Sequence, residues 1–327
     1  MRRPNVSIII PCYNAERTIK STIDSIKWQI YKNFEVIFVN DGSTDNTLNA
    51  IEHYMGSSNI RYTIITQPNS GVSVARNTGI EASIGDYIMF LDADDIYHPY
   101  MVMYLVEQME RTKVDTAFCS FTRNIHDLPN MKFKDIEDVV LLDNYKLQKN
   151  LFFQNVPCAL WTFVYKKNIL DEFKIRFVPN IKYGEDEEFT WKYLCHCSSG
   201  AVLNMQLYGY YNNPVSAINT VSERRMDALT AMDEVDEYLK KNNSSFYSVF
   251  HKFASSRAVW SILRIFSKAG RKDLFRNSIA QKEAKKHMIR LLLYPDLLIK
   301  VTALLYIISS NLFFIFIKKA CKLRSPK

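Results

Sequence analysis

A chain of 327 residues with 47% hydrophobic content and only nine glycines can build one large domain or a domain with an appendage, which excludes a disordered or low-complexity protein. Its six cysteines complete no zinc-type spacing: Cys195 and Cys197 flank His196 without a second pair, so buried structural thiols are expected. The net charge of +8 is uneven, because residues 251–327 hold 17 Lys and Arg against three Asp and Glu, leaving the first 250 residues net acidic; a basic end of this kind suits an anionic partner, either a membrane face or nucleic acid.

The first hundred residues alternate strand and helix signals. Val6–Ile10 is a short apolar run closed by Pro11, too short for a signal peptide and suited to a first strand, so a cytoplasmic body is expected. In Glu16–Trp28, Ile19, Ile23 and Ile26 recur at helical spacing. Phe34–Val39 is nearly continuous in apolar residues, as in a strand covered on both faces. Residues 40–44 form a turn, and Asp45 opens a helix toward Tyr54. Ile60–Thr66 reads as a third strand, Ser73–Ala82 as a helix and Tyr87–Leu91 as a fourth strand. This order implies a mainly parallel sheet with helices on both faces.

Beyond residue 114 the pattern loosens. Asp115–Phe121, Thr162–Tyr165 and Ala201–Tyr211 read as strands, and Asn144–Phe153 and Glu187–Cys197 as helices. Two or three helices follow between Arg224 and Arg290. Val301–Ile317 is then free of charge for 17 residues, between Lys300 and Lys318-Lys319. A helix of that length reaches roughly 25 Å, short of a hydrocarbon core of about 30 Å. An interfacial or re-entrant helix pair over residues 291–317 therefore fits at least as well as a span, with a packing helix as the alternative.

The chemistry concentrates where strands end. Tyr87–Leu91 runs into Asp92, Asp94 and Asp95, three carboxylates in four positions. Like charges so close repel and are costly to desolvate, so a divalent cation with hard-oxygen preference is the expected partner, and a solvated turn the alternative. In an open parallel sheet, ligands bind beyond the carboxyl ends of the strands. The other three exits are Pro11-Cys12-Tyr13-Asn14, Asn40-Asp41-Gly42-Ser43-Thr44-Asp45, and the segment from Gln67 through Ala75-Arg76-Asn77-Thr78-Gly79. All are rich in groups that can hydrogen-bond a nucleotide.

In that order and spacing, PCYN, NDGSTD, ARNTG and GDYIMFLDADD resemble the inverting glycosyltransferases of family 2, which have the GT-A fold. The likeness is dense over residues 5–100 and looser over 180–220. It implies a Rossmann-like α/β domain over residues 1–222, with a nucleotide-sugar half (5–100) and an acceptor half (101–222). A helical basic region, 223–327, would follow. The implied reaction moves a sugar from a UDP-sugar to an acceptor hydroxyl with inversion, assisted by Mn²⁺ or Mg²⁺. By the same resemblance Asp94 would be the main metal ligand, with Asp92 nearer the ribose and the metal waters. Asp95 would support them or cap the next segment. Asp41 would accept from the base, Arg76 would approach base or phosphates, and Pro11 and Tyr13 would wall the base pocket. The alternatives are a plain turn at Asp41 and a solvated residue at Arg76.

An inverting transfer needs a base for the acceptor hydroxyl. Gly184-Glu185-Asp186-Glu187-Glu188 resembles the family's second acidic motif, at the start of a helix whose dipole helps hold carboxylates. Asp186 is the expected base and Glu185 the runner-up; otherwise these acids are N-terminal helix charges. Trp161 is either a floor for the acceptor sugar or a core residue. Where many relatives carry Arg or His after paired tyrosines, this chain has Asn212 and Asn213, so phosphate neutralisation falls to the metal, Arg76 or another basic group. The QxxRW-type motif of processive synthases is missing, which favours a single transfer. With the basic apolar tail, the resemblance points to a hexose, Glc or Gal, placed on an undecaprenyl-diphosphate-linked saccharide for O-antigen or capsule. The setting would be the cytoplasmic face of the bacterial inner membrane, with no nucleic-acid partner. Rival readings are a nucleotidyltransferase, for which the Gly-rich loop is missing, and a catalytically silent, membrane-anchored sugar-nucleotide-binding protein.

Overall fold

The computed structural model describes residues 5–131, 139–153, 159–211 and 221–323. Their contacts divide into two units, residues 5–180 with 189–211, and residues 181–188 with 221–323.

The first unit opens with β1 (Val6–Cys12), α1 (Ile19–Lys27), β2 (Phe34–Asp41), α2 (Thr47–Met55), β3 (Arg61–Gln67), α3 (Val72–Ala82) and β4 (Tyr87–Phe90). All seven lie within a residue or two of the expected spans, except at the start of α1. There the Ala15 amide donates to the Thr47 hydroxyl at 2.7 Å and the Glu16 amide to the Asp45 carboxylate at 3.1 Å, so the chain spends its first turn tied to the neighbouring loop. The unit continues with β5 (Ile96–Tyr97), α4 (Met101–Thr112), β6 (Thr116–Thr122), β7 (Val139–Asp143), α5 (Asn144–Phe152), β8 (Phe163–Lys166), α6 (Lys167–Glu172), the greater part of α7 (Glu185–Cys195), and β9 (Ser199–Gly209).

The strands form one sheet in the order β3-β2-β1-β4-β8-β6-β9-β5, with β7 also on β9. β3, β2, β1 and β4 are parallel, β8 runs antiparallel to both β4 and β6, and β9 is parallel to β6. The expected parallel half is thus joined to a mixed half. Successive side chains enter opposite faces. Ile8, Ile10, Val36, Phe38 and Met89 pack with Ile19, Ile23, Ile26 and Leu105 on one face. Ile9, Ile88 and Phe90 pack with Ile80, Phe118, Phe163, Phe177 and Phe189 on the other. α3 approaches β1 so closely that a Cβ on Gly79 would lie 2.3 Å from Ile9 Cγ2.

The second unit contains the start of α7 and six further helices: α8 (Asp227–Lys241), α9 (Tyr247–Lys268), α10 (Lys272–Asn277), α11 (Ile279–Leu291), α12 (Leu297–Ile308) and α13 (Ser310–Leu323). Phe250, Leu263 and Phe266 of α9 are fully buried. Trp260 donates its indole N–H to Thr302 of α12 at 2.9 Å, and Phe275 of α10 meets Tyr306, Phe313 and Phe314. The uncharged run 301–317, read either as part of a helix pair or as a span, is broken at Ser309, whose backbone is extended (φ −160°) at the end of α12. Its carbonyl accepts from the Phe313 amide at 3.2 Å and so starts the next helix. Among the described residues, no helix is long and apolar enough to cross a membrane.

Residues 181–188, expected within the first domain, group with the second unit. The Lys182 amide donates to Asp227 at 3.1 Å, and Arg225 lies 4.2 Å over the Tyr183 ring. Gly184, at φ +90°, is in a backbone region that side chains disfavour, and a Cβ there would come within 3.1 Å of Ala231.

Candidate active site

The four expected loops form a connected collar at the carboxyl ends of β1 to β4. After β1, Asn14 takes a left-handed conformation (φ 49°) that Asn tolerates. Its side-chain oxygen accepts from the Thr44 amide at 2.8 Å, and its own amide donates to the Ser43 hydroxyl at 3.1 Å. The loop after β1 is thereby fastened to the one after β2. Nothing short of the fold identifies Asn14 as a clasp, although an Asn directly after the apolar strand and Tyr13 was the available signal. Tyr13 is 53% exposed beside it, and Pro11 is half-buried, so both present surface to a ligand.

Asp41, the last residue of β2, is buried. Its Oδ1 accepts from the Gln67 side chain at 2.8 Å and the Ser70 amide at 2.9 Å, and its Oδ2 from the Gly71 amide at 2.8 Å. A carboxylate offers about four acceptor positions. Three are occupied in shaping the loop after β3, leaving one for an incoming N–H. Gly42 follows at φ +68°, where a Cβ would sit 2.6 Å from the Asn69 amide nitrogen, so only glycine lets these two loops approach. Thr78 of α3 completes the chain by donating to Gln67 at 2.7 Å.

α3 carries Arg76, which is 5% exposed and therefore not a solvated helix residue. Its guanidinium meets Asp92 Oδ1 at 3.0 Å and lies 5.3 Å from the Phe177 ring centroid. The next residue, Asn77, donates to the Phe177 carbonyl at 2.8 Å and accepts from its amide at 2.9 Å, acting as a side-chain strand partner. Asn77 and Phe177 are positioning residues that motif reading did not single out.

After β4 the three acids separate by environment. Asp92 and Asp94 remain half-buried, whereas Asp95 is 1% exposed. Asp95 accepts from the Tyr208 hydroxyl at 2.6 Å and the Tyr211 amide at 2.7 Å. Burial, then the Asp92 and Asp94 charges, push its carboxyl up to about 9, so it holds its proton at neutral pH. Asp95 thus ties the end of β9 to the acidic turn. Asp92, paired with Arg76, and Asp94 keep partial exposure. Among the described residues, no three His, Cys, Asp or Glu side chains cluster to enclose a metal. Two carboxylates fit a cation completed by substrate phosphate oxygens, the usual arrangement for Mg²⁺.

Trp161 is 9% exposed and stacks on Tyr208 at 4.1 Å and Tyr210 at 5.6 Å, with the Phe121 ring edge-on at 5.0 Å. Most of the ring is a core layer rather than an open floor. Glu185 and Asp186 occupy the first turn of α7, both half-buried, and Asp186 Oδ1 accepts from the Glu187 amide at 2.9 Å. Asn212 and Asn213 lie outside the described residues. Cys12, Cys119 and Cys197 are buried free thiols, as expected; Cys195 is only half-buried, and Cys158 lies outside the described residues.

Comparison with known proteins agrees with this architecture. Residues 7–173 match the family model described as Glycosyl transferase family 2. The uncharacterized glycosyltransferase EpsJ of Bacillus subtilis is 28% identical over 266 residues, covering 80% of this chain and 74% of EpsJ. The fold is shared with S. aureus TarS 1-349 in complex with UDP-GlcNAc (TM-score 0.65, 18% identity, 98% of this chain and 92% of that one). It is also shared with the mannosyltransferase PcManGT of Pyrobaculum calidifontis in complex with GDP-Man and Mn²⁺ (TM-score 0.56, 14% identity, 100% and 89%). With more than half its length matched by the family model, and with a GT-A fold carrying the collar described above, this chain belongs to glycosyl transferase family 2 and is a glycosyltransferase.

Proposed function

We propose that the chain transfers a hexose, Glc or Gal, from a UDP-sugar to a hydroxyl of an undecaprenyl-diphosphate-linked saccharide, inverting the anomeric carbon to give a β-linkage. The reaction belongs to O-antigen or capsule assembly at the cytoplasmic face of the bacterial inner membrane. The observation that carries the donor half is the split of the acidic turn: Asp95 is buried under the Tyr208 hydroxyl and the Tyr211 amide, while Asp92, held by Arg76, and Asp94 stay half-buried.

Asp94 and Asp92 would hold Mn²⁺ or Mg²⁺, which when bound stabilises the negative charge that gathers on the departing diphosphate. Arg76 orients Asp92 and adds fixed positive charge near the same oxygens. Asp41 offers its remaining acceptor position to the N–H of the base, between Pro11 and Tyr13. Asp186 takes the proton of the acceptor hydroxyl onto its carboxylate as the new bond forms, with Glu185 next to it in the same helical turn. Trp161 would back the acceptor side from the aromatic layer it shares with Tyr208 and Tyr210.

A donor panel of UDP-Glc, UDP-Gal, UDP-GlcNAc and UDP-GalNAc with synthetic lipid-diphosphate saccharides tests the reading. UDP-GlcNAc is included because S. aureus TarS, 26% identical over 207 residues, is named as a β-N-acetylglucosaminyltransferase. UDP release coupled to a β-linked product by NMR is expected. Binding of UDP without acceptor-dependent release would support the silent binding protein instead, and an α-linked product would exclude inversion.

A further inference from the structure

α12 and α13 are covered on the side that most surface helices expose least and apolar on the side that they usually keep polar. Thr302 and Tyr306 of α12 and Phe313 and Phe314 of α13 face Trp260 and Phe275, so the inner faces of both helices share one layer. On the outer faces, Leu297, Val301, Leu304 and Ile308 recur every three or four residues along α12, and Leu312, Ile315 and Phe316 along α13. Leu297 is 74% and Ile308 65% exposed, and Leu292 and Leu293 extend the surface at the end of α11. Ten exposed large apolar side chains in 25 consecutive residues exceed what a monomer ordinarily leaves to water.

We infer that this face is an in-plane docking surface for an anionic lipid bilayer. Charge selects the occupant. Residues 279–323 hold eight Lys and Arg against two Asp and Glu. Lys285, Lys286, Arg290, Lys318 and Lys319 are exposed on α11 and α13, where headgroup phosphates would meet them. A second copy of the chain would bring the same positive charges together. The break at Ser309 leaves helices of 12 and 14 residues, about 18 and 21 Å, each too short to reach across a hydrocarbon core of about 30 Å. Helices of this kind lie in the interface with one face sunk. The surface extends the reading of a lipid-borne acceptor and rests on that reading for its purpose, not for its geometry.

Flotation of the full chain with vesicles of phosphatidylglycerol and phosphatidylcholine tests it without any substrate. The chain should float at least about tenfold more on these than on pure phosphatidylcholine, and less as salt rises. The variant L297E/I308E/F316E, with a melting curve to verify folding, should remain at the bottom. A second variant, K285E/K286E/K319E, should lose the preference for anionic vesicles. Equal flotation of all three proteins, or none by the wild type, overturns the proposal. So does a wild-type dimer in sedimentation that L297E/I308E/F316E turns into a monomer with flotation unchanged. UDP release with a water-soluble acceptor analogue reports the transferase reading separately, since it does not require docking.

Discussion

The two units use exposed surface in opposite ways. At the carboxyl edge of the sheet, polar groups are tied to one another: Asn14 to Thr44, Asp41 to Gln67 and Gly71, Arg76 to Asp92. On α12 and α13 a row of large apolar side chains is exposed, from Leu297 to Phe316. A network of directed bonds fixes positions within a fraction of an ångström, as recognition of a small polar ligand requires. A greasy stripe fixes only a face, which is enough for a fluid surface. Substitutions should therefore be punished at the collar and tolerated on the stripe.

The largest effect expected is on turnover. Asp94→Ala should lower UDP release by about 10²–10³ or more while leaving the melting temperature near that of the wild type, because Asp94 is half-buried and gives up little packing. A variant with full turnover would remove Asp94 from the machinery. Arg76→Met tests the collar as structure. It strips Asp92 of its 3.0 Å partner and should cost about 1–3 kcal/mol in urea unfolding; Arg76→Lys should recover only part of this, since a single ammonium cannot match the planar fork. No loss in either would mean that the pair is idle.

Away from the collar, Asp115 supplies a control with a pH signature. Burial would raise its carboxyl, but the Lys166 ammonium at 2.7 Å and the Ser198 hydroxyl and amide outweigh burial and hold it below the usual range. A group lowered in the folded state adds stability above its unfolded value of 3.8 and loses it as pH falls through the folded value. Asp115→Asn should thus melt earlier than wild type at pH 7, with the gap closing as pH falls below 3.8 and through the lower folded value. A gap constant across that range would show the effect to be packing alone. Smallest of all, Leu304→Gln on the outer stripe should change unfolding free energy by no more than about 0.5 kcal/mol. A larger loss would show that the stripe is packed in the free protein and not open.

Much of the first unit was legible because apolar runs there are short, bounded and strongly patterned. The whole of β2 is buried, so its run from Phe34 to Val39 could hardly be anything else. α4 is encoded as plainly: Met101, Val102, Leu105, Val106 and Met109 repeat at helical spacing and are all buried. β5 is two residues long and exists only because β9 pairs with it, which no local pattern encodes. Absence of charge concealed the break in the tail, although Ser309-Ser310-Asn311 supplied capping side chains in the middle of the run. Among site residues, the motifs located Asp92, Asp94 and Asp95, and the resemblance put Asp94 first but left Asp95 between two roles. The surroundings of Asp95 come from Tyr208, over a hundred residues away, whose hydroxyl donates to it.

The Arg76–Asp92 pair also bears on how the enzyme lives between turnovers. In a zinc finger the bare ligands repel and the chain falls apart without its ion. Here a built-in guanidinium balances Asp92, and burial against Tyr208 keeps Asp95 protonated, so two of the three acids need no ion to be held in the fold. A chelator should extinguish catalysis and leave the thermal midpoint where it was, and fresh Mn²⁺ should restart the reaction at once, with no refolding lag.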